Sequence, residues 1–134
     1  MTRTTSVPAK INLFLNVLER RSDGYHEIRS AMAPVCPPAD SVSLATTAVP
    51  GITVHCNDVR VPVDDTNLAH RAAVAFAAAT GIRPQWQVTL AKSIPVAAGL
   101  GGGSADAAGT LQLLNQHCQC PLSTQELLRI ATQL

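Results

Sequence analysis

The sequence predicts an α+β domain, with strands gathered early in the chain and helices clustered later. Three observations carry this. Residues 9–18 alternate in side-chain character, further short extended stretches follow before any helical period, and two helical periods stand together in the last third. A doubly wound sheet would instead show strands and helices in regular turn.

In the first strand Ala9, Ile11, Leu13, Leu15 and Val17 share one face, and Lys10, Asn12, Phe14 and Asn16 share the other. Ser22-Asp23-Gly24 predicts a turn. A second extended stretch covers about 25–35 and ends at Pro34, Pro37 and Pro38, which cannot donate to a ladder. Val42–Thr47 and Ile52–Cys56 predict two short strands joined by a turn containing Pro50-Gly51. Asp65 or Thr66 can cap the first helix, and Gly81 suits the left-handed position beyond its end. Between them Leu68, Ala69, Ala72, Phe76 and Ala79 form one apolar stripe. Trp86, Val88 and Leu90 then alternate with Gln85, Gln87 and Thr89 in a strand, with Lys92 at its end. After a glycine-rich stretch a second helix begins, with Ser104 near its N-cap and a buried face of Ala107, Ala108, Leu111 and Leu114. A third begins at Ser123 and runs to Leu134. Ser123 with Glu126 fits a capping box, and Leu122 with Leu127 fits a hydrophobic staple.

The bulk numbers suit one globular domain: 134 residues, 46% hydrophobic and 14% charged. Aromatic residues are only 3%, so the core falls to Ala, Val, Leu and Ile. Ten basic and nine acidic residues leave a net charge of +1 with no basic stripe, so the footprint of nucleic-acid binding is missing. An anionic ligand must then be held by a local site. The polar N-terminus has no apolar signal region, and the apolar stretch Ala72–Ala79 is too short to span a bilayer. A cytoplasmic location and no membrane partner are therefore expected. His117, Cys118 and Cys120 lie close together, but without a distant fourth ligand they make a poor zinc site; the plain reading is a helix end with small apolar cysteines. No protein metal site is predicted.

The glycine-rich stretch carries the chemistry. Gly99, Gly101, Gly102 and Gly103 fall between an apolar strand and an apolar helix. Glycines let backbone approach a ligand closely. A helix that starts there offers unpaired N–H groups and the positive end of its dipole to a phosphate. Ser104 adds a hydroxyl that can serve as donor or contact a bound magnesium ion. The pattern is neither GxxxxGK[ST] nor a dinucleotide fingerprint. A flexible connector is the alternative, although connectors are usually polar and this one joins two apolar periods.

Two further clusters stay open on residue patterns alone. Lys10 and Asn12 project together from the first strand, as on any solvated strand face. Beside a nucleotide, a Lys ammonium would stabilise a transferring phosphoryl group and an Asn amide would orient a hydroxyl. Tyr25-His26 after the turn offers an aromatic face and a ring edge to a nucleobase, or is simply a hairpin turn with a half-buried Tyr and a surface His.

Pro8-Ala9-Lys10-Ile11-Asn12-Leu13, then Arg20-Arg21-Ser22-Asp23-Gly24-Tyr25-His26, then Ile94-Pro95 through Gly99-Leu100-Gly101-Gly102-Gly103-Ser104-Ala105-Asp106-Ala107-Ala108 resemble the 4-diphosphocytidyl-2-C-methyl-D-erythritol kinases, a family within the GHMP kinase superfamily. The resemblance runs from about Val7 onward. It implies that residues 1–134 are a GHMP kinase N-terminal ATP-binding domain, a sheet with helices on one face and a left-handed βαβ crossover. It implies ATP-dependent phosphorylation of the 2-hydroxyl of 4-diphosphocytidyl-2-C-methyl-D-erythritol, in the non-mevalonate route to isoprenoid precursors, with ATP and Mg²⁺. Lys10 would be catalytic. Asn12, Tyr25 and His26 would bind the substrate with its cytidine diphosphate group, Tyr25 stacking on cytosine and His26 bonding its edge. Asn67 and Lys92 would lie near the adenine. Pro95, Val96, Ala97, Ala98, Gly99, Leu100, Gly101, Gly102, Gly103, Ser104 and Ala105 would wrap the ATP phosphates. GHMP kinases acting on homoserine or mevalonate have no base for Tyr25-His26 to stack on. The family also carries a second domain and a Gly-Ala-Asp-Val-Pro-type element whose Asp is the general base; this chain shows neither. The expectation is therefore either the kinase or a truncated, catalytically impaired nucleotide-binding fragment of it.

Overall fold

A computed structural model describes residues 2–134. Strand β1 spans Thr2–Arg20, β2 His26–Thr46 and β3 Gly51–Cys56; helix α1 spans Leu68–Thr80, β4 Gln85–Ala91, α2 Gly102–His117 and α3 Thr124–Ala131. The sheet order is β1-β2-β4-β3. Among the described residues only the β3–β4 pair is parallel, and α1 connects it; β1–β2 and β2–β4 are antiparallel. This is a mixed α+β architecture, as the clustering of strands before helices predicts.

The long first hairpin departs from the sequence reading. Two strands expected at about 25–35 and 42–47 form one continuous β2, and the prolines do not end it. The reason lies in the register. Pro8 faces Ala39 while Ala9 faces Val35, so Cys36, Pro37 and Pro38 bulge out of the ladder, where no N–H need be donated. The turn at Pro50-Gly51 does not join neighbouring strands. It carries the chain past a position that β4 later fills, between β2 and β3.

One face of the sheet is buried. Val42 and Leu44 on β2, and Trp86, Val88 and Leu90 on β4, are at most 3% exposed and meet Ala69, Ala72, Ala73 and Phe76 of α1 and Leu111 and Leu114 of α2. The Phe76 and Trp86 rings meet edge to face with centroids 5.9 Å apart, an arrangement worth about 1 kcal/mol beyond area burial. Asn67, rather than Asp65 or Thr66, caps α1; its side chain accepts from the Ala69 N–H, and Gly81 closes the helix at φ 70°. Ala79 and Ala108, expected in helix faces, are exposed. Ser123 and Glu126 form the expected capping box, and α3 ends at Ala131 rather than Leu134. The four cysteines are free, and His117 bonds Thr46 Oγ1 through Nε2 at 3.0 Å. Among the described residues no helix is long and apolar enough to cross a membrane.

Candidate functional site

Between β4 and α2 the chain folds back on itself. Ala97, Gly99 and Gly101 all take positive φ, at 59°, 73° and 74°; glycine holds that region without strain, whereas Ala97 carries a cost of about 1–2 kcal/mol. Helix α2 then starts earlier than the sequence reading placed it. Gly101 is the N-cap, without a side-chain hydrogen bond, and Gly102 is the first helical residue. Ser104 reads as the better cap by residue preference, but here it lies within the first turn. The first intrahelical bond runs from the Ala105 N–H to the Gly101 carbonyl, 2.9 Å. The N–H groups of Gly102, Gly103 and Ser104 therefore have no acceptor within the helix.

These groups border a cavity of about 390 Å³, lined by the stretch from Ile94 to Ser104, by Lys92 and Asp106, and opposite by Arg60, Val61, Pro62, Thr66, Asn67 and Leu68. Of the stretch 95–105, only Ala105 lies outside this cavity; it borders a second groove with Lys10, Ala108 and Gly109.

Lys10 lies against the glycine bend. A Cβ at Gly101 would stand 2.9 Å from Lys10 Cγ and 3.3 Å from Cε, and the Lys10 N–H donates to the Leu100 carbonyl at 2.9 Å. Lys10 Nζ donates to Asn12 Oδ1 at 3.5 Å, and Ser30 Oγ donates to the same oxygen at 3.4 Å. Lys10, Asn12 and the bend are thus brought together. Tyr25 and His26 are not. They sit at the hairpin tip, Tyr25 is 75% exposed, and neither borders either cavity. An Asx turn fixes that tip, with the Tyr25 N–H donating to Asp23 Oδ1 at 3.1 Å and Arg21 paired with Asp23 at 2.9 Å.

Asn67 and Lys92 border the cavity, and both are committed to the protein. Asn67 Nδ2 donates to the Pro62 carbonyl at 2.6 Å and its Oδ1 caps α1, which leaves one Nδ2 hydrogen for a ligand. The Lys92 ammonium turns inward, bonding Asp40 Oδ2 and, at 2.6 Å, Asp106 Oδ2. Asp40 Oδ1 also accepts from the Ser93 and Ile94 N–H groups at 2.6 and 2.8 Å. Burial alone would raise the Asp40 carboxyl, but these N–H groups and Lys92 outweigh it and hold it low. Burial pushes Asp106 up to about 6 against the pull of Lys92. Burial works against the Lys92 charge too, yet its two carboxylates raise it.

The sequence reading missed Asp40 and Arg60. The signal for Asp40 was its place in the buried period Asp40, Val42, Leu44, where an acid needs a partner. Arg60 stands at the cavity rim, held by Asp58 at 2.6 Å, and nothing in its sequence neighbourhood marked it.

Among the described residues no three His, Cys, Asp or Glu side chains group to cage a metal. A magnesium ion carried on nucleotide phosphates needs few protein oxygens. The exposed Ser104 in the first turn of α2 meets that requirement.

The GHMP kinases N terminal domain profile matches residues 67–134. The chain is 43% identical over 133 residues to the 4-diphosphocytidyl-2-C-methyl-D-erythritol kinase of Desulfotalea psychrophila, covering 95% of this chain and 43% of that protein. It is 46% identical over 130 residues to the kinase of the same name from Solidesulfovibrio magneticus, covering 96% of this chain and 44% of that protein. A crystal structure of 4-(cytidine 5'-diphospho)-2C-methyl-D-erythritol kinase superposes with a TM-score of 0.76 at 36% identity, over 96% of this chain and 46% of that one. A homoserine kinase from Cytophaga hutchinsonii shares the fold at 22% identity and the same TM-score, over 98% of this chain and 40% of that one. The chain spans less than half the length of these relatives.

Proposed function

This chain belongs to the GHMP kinase family, and on that premise we propose that it is the N-terminal, ATP-binding part of an enzyme that phosphorylates the 2-hydroxyl of 4-diphosphocytidyl-2-C-methyl-D-erythritol. The single observation that carries the proposal is the Lys10 side chain lying along Gly101, at the start of a helix whose first N–H groups border an open cavity. The identities of 43% and 46% with kinases of that name support the choice of substrate over other GHMP alcohols.

In this reading the triphosphate of MgATP lies along residues 95–104, and the α2 N-terminus and loop N–H groups stabilise its charge. Ser104 would help hold a magnesium ion carried on the phosphates, which would neutralise charge there. The substrate hydroxyl oxygen forms the new bond to the γ-phosphorus while the bond to the bridging β–γ oxygen breaks and ADP leaves. Lys10 stabilises charge on the moving phosphoryl group, and Asn12 orients the hydroxyl. The hydroxyl proton would pass to a carboxylate base, the role that the resemblance gives to the Asp of a Gly-Ala-Asp-Val-Pro-type element. Tyr25 and His26 supply the cytosine contact from the hairpin tip. The reaction runs in the cytoplasm, in isoprenoid precursor synthesis.

A second reading, a module that binds nucleotide without transferring phosphate, is favoured by one observation. Among the described residues no carboxylate pairs with Lys10. Equilibrium binding of MgATP and release of ADP in the presence of the cytidyl substrate separate the two. Binding with ADP release that Lys10→Met abolishes supports the kinase, and binding without release supports the module. No MgATP binding at all would overturn both.

A further inference from the structure

Resting on the nucleotide reading above, we propose that Asp40, Lys92 and Asp106 are positioning residues, a buried charged chain that clamps the two ends of the phosphate loop together. Asp40 Oδ1 holds the Ser93 and Ile94 N–H groups at the loop entrance, and Lys92 links Asp40 to Asp106 in the first turns of α2 at the loop exit. The Lys92 side chain is 6% exposed and those of Asp40 and Asp106 are 0% and 4%. Gly102 sits directly on this chain. A Cβ there would stand 3.2 Å from Lys92 Nζ and 3.4 Å from Asp40 Oδ2.

Buried ion pairs are a poor source of stability, because apolar side chains of similar size often do as well or better. Their advantage is direction. Charge-assisted bonds fix distances and angles that apolar packing leaves loose. Here they fix the span between the last turn of backbone before Pro95 and the helix that presents its N–H groups to the cavity. The lysine at the end of β4 thus serves the phosphate site from beneath, through the loop.

The test is Asp106→Ala, which frees α2 from the chain and leaves the Lys92–Asp40 pair balanced. MgATP affinity is expected to fall roughly tenfold to hundredfold, the scale of misplacing positioned groups by about 1 Å. In the ligand-free protein, amide exchange across 99–105 is expected to speed up while that of Trp86–Leu90 stays at the parental rate. Asp106→Asn, which keeps an acceptor for Lys92, is expected to restore most of both. Asp106→Leu cuts the same bond without leaving a cavity and serves where the alanine variant does not fold. Parental loop exchange in a folded Ala or Leu variant would overturn the clamp. Absent MgATP binding in the parent overturns the nucleotide reading instead, and the exchange measurement still decides whether the clamp exists.

Discussion

Gly101 meets two demands at once, a φ of 74° and a lysine side chain pressed where a Cβ would be. An alanine there fails both. The left-handed conformation costs about 1–2 kcal/mol for a residue with a Cβ, and at 2.9 Å from Lys10 Cγ the lysine stem must move. Gly101→Ala is therefore expected to lower stability by about 1–2 kcal/mol in denaturant titration and to weaken MgATP binding more than that loss explains. Asp106 provides a second prediction at this scale. Its folded carboxyl is raised from 3.8 to about 6, by burial first. Between those values the folded protein keeps a proton that the unfolded chain releases, so stability declines as pH rises from about 4 to about 6. Asp40, held low, has the opposite sign, and its contribution is lost only as pH falls below its ordinary range. Asp106→Asn is expected to remove the decline, flattening melting profiles across that window by up to about 3 kcal/mol. An unchanged slope would show that Asp106 is ionised throughout. The glycine bend was legible in the sequence because a strand–glycine–helix order is a local signal, whereas Lys10 and Asn12 stayed open on their strand period alone and were singled out by the resemblance. Asp40 was not, because its partners Lys92 and Asp106 are far along the chain and only the fold brings them to it.

At the scale of elements, α2 connects the site to the sheet. Gly109 lies where a Cβ would stand 2.7 Å from Val7 Cγ1 and 3.3 Å from Val42 Cγ2, both in buried residues. Alanine at a helix interior normally gains up to about 1 kcal/mol over glycine. Here overpacking, typically about 1–3 kcal/mol, opposes that gain. Gly109→Ala is expected to destabilise by about 1–2 kcal/mol on balance, read from the denaturation midpoint; a stabilised protein would mean that α2 stands further from β1 and β2 than described. The existence of α1, β4, α2 and α3 was legible from their periods and caps, because those signals sit within a few residues. The length of β2 was not. Its prolines read as an end until the register places them in a bulge, and a register belongs to two strands rather than one. The start of α2 was missed for a related reason. Glycines at 102 and 103 are weak helix formers, and the tertiary seat on Lys92 and Asp40 overrides that preference.

The whole molecule divides its stability unevenly. The core gathers residues of the central strands, α1 and α2, whereas Ile11, Leu13, Phe14, Leu15, Val17, Leu18, Ile28 and Met32 along the β1–β2 hairpin are 40% to 66% exposed. In this 134-residue chain the hairpin is held mainly by its own ladder, which is interrupted between Asn12 and Phe14 and between Val17 and Arg20. A two-stranded ribbon with little buried apolar surface is marginal in water. Local opening there is expected to take much less free energy than global unfolding. Amides of residues 14–18 and 27–31 should then exchange at least about 100-fold faster than those of Val42–Leu44 and Trp86–Leu90. Trp86, the one tryptophan and 3% exposed, supplies an independent readout of the core. Its fluorescence change should follow denaturant concentrations at which hairpin amides have already lost protection. The consequence reaches the site. From Lys10 to Arg20 an extended strand covers about 33 Å, so the Tyr25-His26 tip reaches a ligand at the glycine bend only if this ribbon curves toward it, and a ribbon that opens easily is one that bends at low cost. Equal protection along the hairpin and the central strands would refute this division and make the tip a rigid arm instead.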